Sequence, residues 1–208
     1  MPHRRCHSAS RNGGRQQQVS TNSREAILAA ARRSAQVHGY NGLNFRDLAQ
    51  EVGIKSASIH YYFPSKADLG AAVAQRYWED TAAALETLCG QHDTAAAALG
   101  AYPSVFRISL ENENRLCLCS FMAAEYDDLP DPVKQHVQTF TDVNVAWLGK
   151  VLEEAGITLA EESEARARAI FAAVAGAQLV ARSRADIALF DTTIDSYRAA
   201  GLFGPVGG

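Results

Sequence analysis

The stretch Glu51–Lys66, EVGIKSASIHYYFPSK, leaves this chain few choices. Gly53 ends whatever helix precedes it, and Pro64 stops whatever follows, because glycine accepts left-handed backbone and proline lacks an N–H donor. Between them there is room for one short helix, Lys55–Tyr62. Upstream, Asn44 stands as a cap before Phe45, Leu48, Ala49 and Val52, which fall on one side at helical spacing. Two short helices joined by a tight turn make a helix-turn-helix. Ala49 is small where the helices cross. Leu48, Val52, Ile54, Ile59 and Tyr62 supply the apolar side that seats the pair on an earlier helix. Lys55, Ser56, Ala57, Ser58, His60 and Tyr61 remain on the outer or leading face. Small residues let a helix start enter a major groove, and Lys, Ser, His and Tyr bring donors for base edges and phosphates. Double-stranded DNA is therefore the expected partner.

Charge supports the same reading. Residues 1–70 hold ten Lys and Arg against four Asp and Glu, a net of +6, whereas the remainder holds ten against nineteen, a net of −9. A basic first third on an acidic body suits a protein of which only one end meets a polyanion. Residues 1–20 have little to bury and are expected to be a disordered basic tail. The first helix is expected near Asn22 or Ser23, with Glu25 completing a capping box, and it should bury Ile27, Leu28, Ala31 and Ala35 before stopping at His38 and Gly39.

The rest of the chain reads as helices. Beyond residue 70 alanine is frequent, β-branched runs are few, and no stretch alternates as a strand. Helices are expected from Ser65 to about Leu88, then over about 94–112, 115–127, 131–155, 161–185 and 191–200. The fold class is all-α. An N-terminal three-helix helix-turn-helix domain (21–68) is expected to precede a longer helical domain (69–201), with residues 202–208 as a flexible end. The small residues of IFAAVAGAQLVAR, Ile170–Arg182, allow two helices to approach closely, so the dimer surface is expected there.

The segment 24–70, carrying REAILAAA and HGYNGLNFRDLAQEVGIKSASIHYYFPSKADL, resembles the N-terminal domain of TetR/AcrR-family transcriptional regulators. The resemblance implies a homodimer on a palindromic operator, with a small-molecule effector and no cofactor. It implies that Asn44 and Arg46 touch the DNA backbone. Lys55, Ser56 and Ser58 would face bases, with Ala57 among them, and His60, Tyr61 and Lys66 would hold phosphates, with Tyr62 beside them. Two departures stand out. His60 occupies the place of a DNA-contacting tyrosine in the usual Leu-Tyr-x-Tyr/His-Phe pattern, and Asn44 replaces the usual threonine cap.

An effector pocket in the second domain would draw on Trp78, Phe106, Phe121, Tyr126, Phe140, Trp147 and Gln178. RLCLCSFMAAEYDDLPDPV resembles the branch of the family that answers electrophiles or unsaturated metabolites, which implies Cys117 as a thiol sensor and Cys119 as its resolving partner. Arg115 and a place in a helix's first turn would both favour the thiolate. Cys117 and Cys119 lie two apart and cannot face one metal ion from a helix, so no metal site is expected. No P-loop, GxSxG, HExxH or dinucleotide motif occurs, and an enzyme is not expected. Without a long apolar run or a signal segment, the protein is expected in the cytoplasm with reduced thiols and no membrane contact. The competing readings are an effector-independent activator or architectural DNA binder, and a helical enzyme using Cys117.

Overall fold

A computed structural model describes residues 12–204, and the side chains of residues 22–204. Among the described residues every regular element is helical. The first three helices are α1 (Asn12–His38), α2 (Phe45–Val52) and α3 (Ser56–Tyr62), with a 3-10 turn at Tyr40–Gly42 after α1. The others are α4 (Lys66–Gln91), α5 (Ala95–Ala101), α6 (Ser104–Glu111), α7 (Leu118–Ala124), α8 (Asp131–Glu154), α9 (Ala160–Arg184) and α10 (Ile187–Ala199).

The boundaries follow local chemistry. The Asn44 side chain accepts from the amides of Arg46 at 2.9 Å and Asp47 at 3.4 Å, so α2 starts where a short polar acceptor can satisfy two orphan donors. Gly53 ends it at φ 74°, with open space around its Cα, so its role is the left-handed backbone. Ser65 opens α4 with a reciprocal capping box: the Asp68 amide donates to the Ser65 hydroxyl at 3.1 Å, and the Ser65 amide donates to the Asp68 carboxylate at 3.0 Å.

Two expectations need correction. Helix α1 starts at Asn12, ten residues before the expected cap, so residues 12–20 are helical and Asn22 lies inside the helix. The glutamines at 16–18 are good helix formers, and no proline intervenes. Residues 1–11, and the last four of the expected flexible end, lie outside the described residues. The single helix expected over 94–112 is two. The chain kinks at Tyr102–Pro103, where proline supplies no donor to continue the ladder.

Two packed regions share α4. At the N-terminal end, Ile27, Ala30, Ala31, Leu48, Ile59 and Phe63 are buried together, and Ile59 anchors the back of α3. In the body, α8 lies between α4 and α9, and Val133, Leu148, Val151, Leu152, Ile170 and Val174 fill the contact. The two regions meet where Gly70 of α4 passes beneath the Tyr40 ring. A Cβ at Gly70 would lie 2.7 Å from that ring and 3.1 Å from Val133. Gly70→Ala should lower stability by about 1–3 kcal/mol through overpacking, read as a lower midpoint in thermal circular dichroism.

Candidate nucleic-acid interface and effector core

The six basic residues of the segment 24–70 divide into two groups. Arg24 pairs with Glu25 and lies over the Phe63 ring, Arg32 pairs with Asp80, and Arg33 pairs with Glu51. These three brace the fold. Among the described residues no carboxylate pairs with the side chains of Arg46, Lys55 or Lys66. Arg46 opens α2, Lys55 precedes α3, and Lys66 opens α4, so the three belong to the ends of helices around one turn motif.

The expected reading residues lie around them. Asn44, Lys55, Ser56, Ala57 and His60 are exposed, Ser58 is half-buried, and Tyr61 is 79% exposed. The His60 ring leans on Phe45, with centroids 4.6 Å apart, and its Nδ1 lies 3.4 Å from the Pro64 carbonyl. Lys66 is held against the Tyr40 ring at 4.4 Å and against Asn41 at 3.5 Å. Tyr62 differs from the rest. It is half-buried against the core, edge-on to Tyr61, because position 62 falls on the same side of α3 as Ile59.

In the body, Phe106, Phe140 and Trp147 share one aromatic cluster with three residues that sequence reasoning missed: Tyr77, Tyr102 and Phe171. Centroid separations run from 5.6 Å for Tyr77–Phe140 to 6.4 Å for Phe106–Phe140, and Trp147 stacks on Tyr102 at 5.7 Å. Gln178, fully buried, ties this cluster together. It donates to the Phe106 carbonyl and accepts from the Cys117 amide at 3.1 Å. The Tyr102 hydroxyl donates to buried Asn144 at 2.9 Å. Asn144 could have been suspected from sequence, as a lone amide between Val143 and Val145. The indole N–H of Trp147 and one guanidinium nitrogen of Arg182 are buried without a protein partner.

Three expected pocket residues lie elsewhere. Trp78 is half-buried on α4 and donates to His136 at 3.2 Å. Phe121 lies beneath the Arg182 guanidinium. Tyr126 is 45% exposed beneath Lys134, because the chain has left α7 for a surface turn by that point. A cleft of about 610 Å³ uses none of the expected residues. It opens between α1, α4 and α6, lined by Arg32, Arg33, Arg76, Asp80 and Ile108 among others.

Cys117 caps the start of α7 instead of lying in its first turn, and it is 1% exposed, as is Cys119. Burial, and then Cys117 beside it, push the Cys119 thiol well up. Burial foremost, with Cys117 next, holds the Tyr77 hydroxyl in its neutral form. Neither thiol has solvent access in this conformation. Among the described residues no group of His, Cys, Asp and Glu could hold a metal ion, and no helix is long and apolar enough to cross a membrane.

The family model described as bacterial regulatory proteins, tetR family, matches residues 27–73. A TetR transcriptional regulator from Legionella pneumophila is 31% identical in sequence. Its crystal structure superposes with a TM-score of 0.79, over 85% of this chain and 95% of that one. A TetR-family regulator from Agrobacterium tumefaciens is 29% identical, with a TM-score of 0.81 over 87% and 98%. The reduced form of E. coli NemR, 21% identical, shares the fold at a TM-score of 0.75 over 85% and 96%. None of the curated proteins matches the sequence.

Among the described cysteines, half-buried Cys89 should react first with a thiol alkylating agent. Cys117 and Cys119 should lag it by roughly tenfold or more, since access limits them. Peptide mass spectrometry after timed iodoacetamide exposure reads this directly. Rapid labelling at Cys117 in the native protein would show that the core opens.

Proposed function

The chain belongs to the TetR family of bacterial regulatory proteins, and from that premise we propose that it is a dimeric repressor, released from a palindromic operator when a small molecule occupies its body. It is a DNA-binding transcriptional regulator, and the proteins it resembles are regulators, not enzymes. The observation that carries the DNA-binding assignment is the division of the cations. Among the described residues Arg46, Lys55 and Lys66 have no carboxylate partner, and Ser56 and Tyr61 are exposed, while Arg24, Arg32 and Arg33 are paired.

In this reading Ser56, Ser58 and Lys55 face base edges. Asn44, Arg46, His60, Tyr61 and Lys66 position the protein on phosphates, which carry no sequence information themselves. One short helix reads few base pairs. Two copies placed about 34 Å apart would read two half-sites one DNA turn apart. The face for the second copy is the outer side of α9. There Ala172, Gly176, Leu179 and Val180 are exposed, opposite the buried Ile170, Val174, Ala177 and Ala181. An apolar strip of small residues is what close helix–helix contact needs.

The effector would enter among Tyr102, Phe106, Phe140, Trp147 and Gln178, where an apolar surround holds a few polar groups, including the unpartnered indole N–H. An acceptor on the ligand would satisfy that donor. Occupancy would shift the two reading helices, and by linkage effector and operator must weaken each other equally. The closed setting of Cys117 and Cys119 favours a reversible ligand over a thiol reagent. As a bacterial DNA-binding regulator, the protein would work in the cytoplasm.

The test uses the DNA immediately upstream of the protein's own gene, in fluorescence anisotropy. Lys66→Ala should weaken binding to operator and to unrelated duplex alike, by about three- to tenfold, and flatten the salt slope by about one. Ser56→Ala should weaken operator binding only and keep the slope. Leu179→Glu should raise the dimer dissociation constant by roughly a hundredfold, seen by light scattering, and weaken operator binding with it. A stable dimer in that variant would remove α9 from the interface.

A further inference from the structure

We propose that Glu125 is a positioning residue for DNA binding: it never meets DNA, but it holds from the body the turn on which Lys66 rests. The proposal builds on the reading of Lys66 as a phosphate contact.

The turn after α1 satisfies most of its amides locally. Gly39 donates to Ala35, Gly42 to Gly39, Leu43 to Tyr40, and Asn44 to Gly42. The Tyr40 amide instead donates to a Glu125 carboxylate oxygen at 2.7 Å, across a sequence distance of 85 residues. Gly39 makes this approach possible. Its φ is +66°, and a Cβ there would lie 2.2 Å from the same oxygen, so the carboxylate rests on bare backbone. No other residue type fits the position without driving the carboxylate away.

What the turn holds is the start of the reading surface. The Tyr40 ring lies beneath the Lys66 ammonium, and Asn41 accepts from it. Asn44, two residues beyond Gly42, caps α2. A shift of the turn therefore moves Lys66 and the start of α2 together. A second strut parallels the first: buried Gln36 of α1 donates to the Leu116 carbonyl at 3.3 Å. Leu116 and Glu125 bracket α7, and between them the Cys117 amide is bound to Gln178 of α9. Hydrogen bonds at the two ends of α7 thus tie it to α9 and to the turn, and the turn meets Lys66 through the Tyr40 ring and Asn41.

A hydrogen bond to a charged acceptor is strong enough to matter, and its loss should leave the turn free to relax. The experiment measures binding of a fluorescein-labelled duplex of mixed sequence across a salt series, because phosphate contacts do not depend on the bases. Thermal midpoints without DNA are taken for the same proteins. Glu125→Ala should bind about tenfold more weakly, with a salt slope shifted toward that of Lys66→Ala. Glu125→Gln keeps an acceptor oxygen and should stay within about threefold of the parent. The double variant Glu125→Ala/Lys66→Ala should lose less than the two single losses combined, since both changes weaken the Lys66 contact. A folded Glu125→Ala protein with the parent's affinity and slope overturns the proposal, and so does a loss that adds in full to that of Lys66→Ala. If Glu125→Ala does not fold, Glu125→Ser, whose side chain is too short to reach the Tyr40 amide, decides by the same cycle: no loss, or a loss of equal size with and without Lys66, overturns it. Lys66→Ala binding as tightly as the parent sinks the phosphate role itself, and the proposal with it. That failure differs visibly from one in which Lys66 matters and Glu125 does not.

Discussion

A helix of seven residues cannot hold its shape in water, since nucleation is unfavourable and too few hydrogen bonds follow it. The helix proposed to read DNA, α3, is of this kind. It exists because Ile59 is seated, fully buried, against α1 and α2, with Phe63 closing the next position. That single apolar anchorage sets the angle of α3 and leaves Ser56 and Ala57 at its exposed leading end. It also keeps Tyr62 half inside. The rest of the DNA-binding region is arranged to present this helix, and α4 carries the result into the body.

Much of the first region was legible because its boundaries are set by residues with one dominant physical role. Asn44 and Ser65 cap, Gly53 turns left-handed and Pro64 stops, and each acts within a few residues of itself. The start of α1 was not legible. Asn22 has the chemistry of a cap, but a cap is a preference, and it yields where the preceding residues can continue the helix. The break at Tyr102–Pro103 was available in the sequence and was passed over inside an alanine-rich run. In the body, periodicity reaches its limit. Helices such as α9 are apolar on more than one side, so spacing cannot say whether Leu179 or Ala177 faces inward. Tyr126 reads as a pocket aromatic only while α7 is assumed to continue through it.

The contacts that join the two regions were the least visible, for a plain reason. Glu125 and Tyr40 are far apart in the chain, and one partner is a backbone amide, which leaves no side-chain signature. Gly39 was read as a helix stop. Its additional role, making room for a carboxylate, appears only once α7 is placed. The same holds for Gln36, Asn144 and Gln178, whose polarity is meaningful only beside the carbonyls, amides and hydroxyls they meet in the buried interior. These amides fix the arrangement of the core more narrowly than apolar packing would, because each misplacement leaves a buried group unpaired.

The separation of charge along the molecule has a consequence for how it finds its target. Cations without carboxylate partners among the described residues stand at the start of α2, α3 and α4, while the remainder beyond residue 70 is net negative. In the field of a duplex a body so charged would feel a torque before contact, with its proposed reading end drawn in and its acidic part repelled from the phosphates. Productive collisions are thereby enriched over glancing ones, and the rate of search, as well as the strength of grip, is written into the arrangement of its side chains.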